Sequence, residues 1–429
     1  MSNNRPFCAR CIDLDNQANL FEALKTREIG VNPSSVVFNF GAVGIFEATR
    51  GCPCCESIDA ALLLFPMQIT GDIIIHISSA SKCTRTHFHS LDERCEACLT
   101  MQLAIYNKSE QSAVFRNLLP AESNTSVAKK LWKGAWARRH HPHYVNVSLI
   151  RHWLQECDER HYDPCSVDLN LGTTNFAMYL LDTEKDCLVS TSLYERSYVA
   201  LSYVWGPVST IKTTLKRLEE FKQPGSLRSR LREIPRTIRD AMALVRDLGM
   251  KYLWVDCLCI SQDDKVTLEQ SLRNMGAIYA NAYLTVVAAK GVDAGSGLRG
   301  VGRQSKPRRS PCPVIHLPSI QLQIAPENSN IDKIKHSPWG QRCWTFQEAF
   351  LSRRALIFDQ EITWYCPTVT FKESVTDPHR NPACFDPELE QEVRMGFVLQ
   401  YEIPRSLPYF CVRVCERIWV PREDEYDHN

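Results

Sequence analysis

The chain has no long apolar run, no charge excess and no glycine-rich phosphate loop. Its longest apolar runs, residues 60–67 and 72–77, are far too short to span a bilayer. Lys and Arg total 50 against 49 Asp and Glu, a net charge of +1. That balance argues against a dedicated nucleic-acid binder and against an acidic disordered chain. The basic stretches at 137–141 and 306–309 therefore read as solvated loops. Residues 1–6 are polar and lead into no apolar segment, so no secretory signal is expected. Neither Gly-x-Gly-x-x-Gly nor Gly-x4-Gly-Lys-Ser/Thr occurs. Together these absences predict a soluble, cytoplasmic protein without a membrane span. Its 429 residues allow two or three domains.

Cysteine is abundant instead, with 19 residues. An odd count without a signal argues for reduced thiols rather than a disulfide framework. Texture divides the chain into four stretches. Residues 1–120 form a Cys-rich α+β region. Residues 121–195 form a polar linker followed by a lead-in helix at 147–160. Residues 196–375 alternate apolar runs with amphipathic stretches. Residues 376–429 form a short tail of weak periodicity.

The third stretch reads as α/β. Residues 198–205 are β-branched and aromatic and stop at Gly206-Pro207, which predicts a buried strand. Ile234, Ile238, Ala241, Met242, Val245 and Leu248 recur at helical spacing, between Pro235 at the start and Gly249 as C-terminal cap. Residues 252–260 read as a second buried strand, 268–281 as a helix and 283–289 as a third strand. Strands alternating with helices predict right-handed crossovers and a parallel sheet flanked by helices. Ligands in such sheets bind beyond the carboxyl ends of the strands.

One segment combines a carboxylate with aromatic and amide neighbours: Arg342-Cys343-Trp344-Thr345-Phe346-Gln347-Glu348. A helical turn there would put Trp344 and Glu348 on one face. Glu348 then either meets a ligand or pairs with Arg342, Arg353 or Arg354. Asp256 interrupts an apolar run; it either accepts local backbone hydrogen bonds or faces a ligand. Tyr203, Trp205 and Trp344 are candidates for stacking on a base, with core packing as the alternative. Arg299, in a loop, could meet a phosphate or stay solvated. Cys257 and Cys343 are candidate nucleophiles only if a base lies nearby.

Four ordered blocks carry a family resemblance. They are residues 198–206; 234–241 with 252–262; 275–282; and 342–348 followed by Leu351-Ser352-Arg353-Arg354. These resemble the heterokaryon incompatibility (HET) domain of filamentous fungi. Trp153-Leu154, Cys157, His161 and Cys165 resemble its lead-in segment. So do the N-terminal cysteine pairs. The resemblance implies a stand-alone protein of self/non-self recognition that triggers cell death. Its implied partners are other incompatibility or innate-immune receptor proteins. The HET domain is in turn remotely similar to TIR domains, which implies a TIR-like sheet. The Trp344-to-Glu348 spacing resembles the motif that carries the catalytic glutamate of NAD-cleaving TIR domains. By that resemblance NAD is the substrate and Glu348 the catalytic residue, and the residues read above as ligand-binding candidates, Tyr203, Trp205, Asp256, Arg299 and Trp344, would then surround it. The alternative implied role is a non-enzymatic signalling module acting through a homo-oligomer. The helical continuation expected beyond 366–373 is not recognisable.

Cys8-x-x-Cys11 and Cys52-x-x-Cys55 have the spacing of a structural zinc site, with Cys54 competing with Cys52. Cys95-x-x-Cys98 with His87 and His89 offers a further pair. Cys157, His161 and Cys165 recur every four residues and would share a helix face. Burial as plain thiols is the alternative for each.

Overall fold

A computed structural model describes residues 6–18, 36–43, 45–65, 69–79, 99–107, 109, 112–121, 136–138, 141, 143–161, 165, 177–193, 195–302, 308, 313–318, 320–324, 337–342, 348, 351–359 and 361–376. The chain divides into two compact units. The first comprises Met1–His140, Arg309–Asn328 and Lys372–Asp386; the second comprises His141–Arg308, Ser329–Phe371 and Pro387–Asn429.

The first unit is built on a six-stranded antiparallel sheet. Its strands run in the order Val36–Ala42, Asp72–Ser79, Leu99–Asn107, Ser112–Pro120, Gln321–Ile324, Val314–His316. Ile73 and Ile75 are buried and Ile74 less so, the two-residue period of a sheet with one face on a core. Helix Pro53–Leu62 starts with Pro, whose missing N–H costs nothing there. It packs Cys54, Cys55, Ile58 and Ala61 with Phe40, Leu103, Leu118, Ile315 and Leu322. The last two strands come from the chain's return at 309–328, which no change of texture signals.

The second unit begins with α1 (Val147–Arg160), the bounds expected from sequence. Asn146 caps it, its side chain accepting from Leu149 N at 3.0 Å. The strands are β1 (Ala177–Asp182), β2 (Cys187–Ser192), β3 (Val199–Ser202), β4 (Tyr252–Trp254), β5 (Leu284–Val287), β6 (Ala355–Phe358), β7 (Ile362–Tyr365) and β8 (Thr370–Lys372). They form one sheet in the order β8-β7-β6-β5-β3-β4-β1-β2. Strands β6, β5, β3 and β4 are mutually parallel. The pairs β6–β7, β4–β1 and β1–β2 are antiparallel, so the sheet is mixed rather than purely parallel. The helices between strands are α2 (Leu215–Phe221), α3 (Arg236–Asp247), α4 (Asp256–Cys259), α5 (Lys265–Arg273) and α6 (Met275–Asn281). Helix α3 buries Ile238, Ala241, Met242, Leu244 and Val245. Each large aliphatic among them contributes roughly 1.5–3 kcal/mol. Gly249 follows at φ +78°, the left-handed conformation that ends a helix at little cost.

Two expected elements break. The strand expected over 252–260 stops at Trp254, where the chain turns into α4. Local bonds drive the turn: Cys259 N donates to Val255 O at 2.8 Å, and Cys257 N to the Asp256 carboxylate at 2.7 Å. The helix expected over 268–281 is two helices meeting at Asn274, whose side-chain amide donates to Gln270 O at 2.8 Å. An Asn that bonds the backbone of its own turn competes with helix continuation. The described cysteines form no disulfide. Among the described residues no helix is long and apolar enough to cross a membrane.

Candidate functional site

Strand β3 is buried at every position, and its carboxyl end and the residues just beyond it deliver Ser202, Tyr203 and Trp205. Successive side chains of a strand point to opposite faces. Accordingly Ser202 and Tyr203 serve different carboxylates. Ser202 Oγ donates to Glu348 Oε2 in a short hydrogen bond and accepts from Trp339 Nε1 at 2.7 Å. Tyr203 donates its hydroxyl to Asp256 Oδ1 at 3.1 Å, and Trp205 Nε1 donates to Asp256 Oδ2 at 2.7 Å. The chain then turns at Gly206, φ +62°, where a Cβ would lie 2.5 Å from Asp293 Cβ. Only glycine fits there without displacement.

Asp256 opens α4 directly beyond β4. Besides Tyr203 and Trp205 it accepts from its neighbour's backbone N–H. It therefore has the local backbone bond expected of a satisfied group, plus two side-chain donors. Burial pushes its carboxyl up, while Trp205, the Cys257 N–H and Arg342 pull the other way.

Glu348 is 5% exposed. Of the three arginines expected as partners, Arg342 meets Glu348. Its Nη2 lies 3.7 Å from Glu348 Oε1, and its Nη1 donates to the carbonyl of Tyr203. Arg354 instead pairs with Asp158 at 2.7 Å. Ser352 fixes the backbone of Glu348, its hydroxyl donating to Glu348 O at 2.5 Å and lying 2.7 Å from Thr285 Oγ1. Burial raises the Glu348 carboxyl; Arg342 and Ser202 oppose the rise and the charge of Asp256 adds to it. Arg342 thus pairs with Glu348, and Asp256 is held by Tyr203, Trp205 and the Cys257 N–H, both at the carboxyl ends of β3 and β4, the position where open α/β sheets bind ligands.

The other candidates fall as follows. Tyr203 is buried, so it presents a hydroxyl to Asp256 rather than an open ring face. Trp205 is half-buried and carries Lys212 Nζ 4.8 Å from its ring centroid. Arg299 lies in a turn held on α3, where Gly297 N donates to Thr237 Oγ1 and Leu298 N to Asp240 Oδ2. Among the described residues it bonds neither Asp256 nor Glu348. Trp344 and Cys343 lie outside the described residues, as do Cys95, Cys98, His87 and His89. Cys257 is buried beside Asp256, and both effects push its thiol well up, so it is no thiolate nucleophile. Ser202 and Trp339 escaped sequence reasoning; a lone hydroxyl in an otherwise apolar buried strand was the available signal for the first.

Residues 198–348 match the family model of the heterokaryon incompatibility protein (HET). The HET match begins at Tyr198, one residue before β3, and ends at Glu348. It therefore encloses both carboxylates, Arg342 and their donors. No curated protein and no solved structure matches the chain.

Outside the HET segment, the first unit gathers Cys8, Cys11, Cys52 and Cys55, with all four Sγ atoms within 4.8 Å of one another. Cys8 Sγ lies 3.7 Å and Cys11 Sγ 3.5 Å from Cys55 Sγ, and Cys52 Sγ lies 3.8 Å from Cys11 Sγ. Four sulfurs about 2.3 Å from one tetrahedral zinc stand roughly 3.8 Å apart, so these residues fit that ion. Cys52 rather than Cys54 belongs to the set. Cys8 N donates to Cys52 Sγ at 3.4 Å and Arg10 Nη2 to Cys55 Sγ at 3.6 Å, the outer donors that thiolate clusters need. Four protein ligands close the coordination sphere, which is the form of a structural site.

Proposed function

We propose that this chain acts in fungal self/non-self recognition, and that its HET segment triggers cell death by cleaving NAD at Glu348. The observation that carries the reading is the buried Glu348 paired with Arg342 at the carboxyl end of β3, with Asp256 and its Tyr203 and Trp205 donors at the end of the neighbouring β4. The remote resemblance to TIR domains supplies the reaction. In it the bond between ribose C1′ and the nicotinamide nitrogen breaks, and its electron pair leaves with the ring, which becomes neutral. Water oxygen bonds to C1′ and gives up a proton to solvent. The positive charge that develops on the ribose in between needs a fixed negative charge nearby, as in glycoside hydrolysis. Glu348 supplies that charge or holds the ribose hydroxyls, and Asp256 holds the Trp205 and Tyr203 side chains in place at the end of the neighbouring strand. Such preorganised charge lowers the barrier by about 3–4 kcal/mol, or roughly a hundred- to a thousand-fold in rate. The chain would work in the cytoplasm, alongside incompatibility or innate-immune receptor proteins.

One observation favours a second reading. Both oxygens of Glu348 already have partners within the fold, Ser202 and Arg342. In that reading the network is structural, and the protein signals through homotypic assembly without chemistry.

Purified protein incubated with NAD decides between them. Nicotinamide should appear on chromatography with wild type, and not with Glu348→Gln at a matched thermal transition. Absence of turnover at high protein concentration and under crowding would sink the enzyme and leave the assembly module.

A further inference from the structure

The second unit gathers a donor set that sequence spacing only half discloses. Cys157 lies in the last turn of α1, His161 is its C-cap, and Cys165 follows four residues later. The fourth member, Cys366, comes from the residue after β7. One ligand atom from each of these four residues lies within 4.8 Å of all the others. Cys366 Sγ is 3.5 Å from His161 Nδ1. All three cysteines are 2% exposed or less, and His161 is half-buried.

We propose that Cys157, His161, Cys165 and Cys366 form a second structural zinc site, independent of the N-terminal four-cysteine cluster. Three thiolates and one imidazole are a recognised closed tetrahedral set for this ion, and soft sulfur donors disfavour magnesium or calcium. A disulfide would use two of the three sulfurs and leave the histidine without a purpose. The surroundings also fit the charge. Zinc with three thiolates carries a net −1, and the buried guanidinium of Arg354 lies within electrostatic reach of Cys157. Thr368 Oγ1 lies 3.5 Å from Cys165 Sγ, placed to donate to a thiolate. Cys366 is held by a tight turn, with its N–H donating to Val369 O at 3.0 Å and Val369 N to Cys366 O at 3.3 Å.

The mechanical result is a clamp. It fastens the end of the lead-in helix to the β7–β8 hairpin, two segments roughly two hundred residues apart. Closing so long a loop removes more unfolded-chain entropy than closing a short one. The rest of the sheet, including the segment that bears Glu348, lies between them in the chain.

Elemental analysis of the full chain tests the site. Wild type should hold two zinc ions per chain, Cys55→Ser one, Cys366→Ser one and the double variant none. His161→Cys keeps four ligands and should still hold two, while its cobalt(II) form gains thiolate-to-metal absorption. That variant decides the matter if Cys366→Ser fails to fold. A wild-type chain with one zinc that Cys55→Ser abolishes would overturn the proposal. So would a His161→Cys variant whose cobalt spectrum matches that of the wild type.

Discussion

The guanidinium of Arg342 lies 3.7 Å from the carboxylate of Glu348, and the same side chain bonds the backbone of Tyr203. One cation therefore ties the Glu348 segment to the end of β3. Removing it leaves the buried carboxylate of Glu348 without its cation. Arg342→Met should destabilise the protein by about 3–5 kcal/mol at neutral pH, the cost of stranding a buried charge. Adding Glu348→Gln should restore a large part of the loss. Denaturant melts of the two single variants and the double variant measure the coupling. Additive effects would mean that the pair is not a unit.

The Glu348 carboxyl is held above its usual range by burial. A carboxyl whose folded pKa exceeds its unfolded value favours the folded state most when protonated. That contribution is complete below the unfolded value of about 4.3 and is lost as pH rises through the folded one. Glu348→Gln has no proton to lose. Its stability relative to wild type should therefore rise as pH climbs from about 4 towards 8. Thermal melts across that range check it; parallel curves would show an unshifted group.

Trp205 and Asp256 are joined by an indole-to-carboxylate bond of 2.7 Å. Trp205→Phe keeps most of the ring and loses the donor. The expected cost is about 1.5–3 kcal/mol, as for a hydrogen bond to a charged group. Denaturant titration at pH 7 reads it. If the NAD reading is right, the variant also loses nicotinamide release.

Gly206 permits the turn that brings Trp205 to Asp256. Alanine there would place Cβ 2.5 Å from Asp293 Cβ at a φ of +62°. Gly206→Ala should destabilise by roughly 1–3 kcal/mol and alter tryptophan fluorescence. A variant indistinguishable from wild type would mean that the loop at 293 yields freely.

The first unit should depend on metal. A strong chelator ought to lower its thermal transition, and zinc ought to restore it, because metal binding free energy is folding free energy in closed thiolate sites. Acid should act likewise by protonating the thiolates. A transition unmoved by chelator, in protein shown to be metal-free, would leave four plain buried thiols.

Local signals in the sequence carried far, and long-range ones did not. Helix α1 is legible to the residue, because Asn146 caps it and Leu149, Ile150, Trp153, Leu154 and Cys157 keep helical spacing. Strands β3 and β5 are legible as buried β-branched runs bounded by turns. The run 252–260 misleads because a one-turn helix and a buried strand are equally apolar; Asp256, bonding its own neighbour, was the clue to the break. Glu348 was recognised with Arg342 among three possible partners, and only the fold chooses. Cys366 was invisible as a ligand, since no spacing rule spans two hundred residues.

The parallel order of β3, β4, β5 and β6 also sets a clock. Asp256 leaves the ribosome roughly ninety residues before Glu348 and Arg342. At about 5–20 residues per second that is a wait of roughly 5–18 s. During it the first carboxylate has its indole and tyrosine donors, while the second and its cation have yet to emerge. A chain interrupted in that interval holds half a site. Whatever the pair does, the protein is born unable to do it.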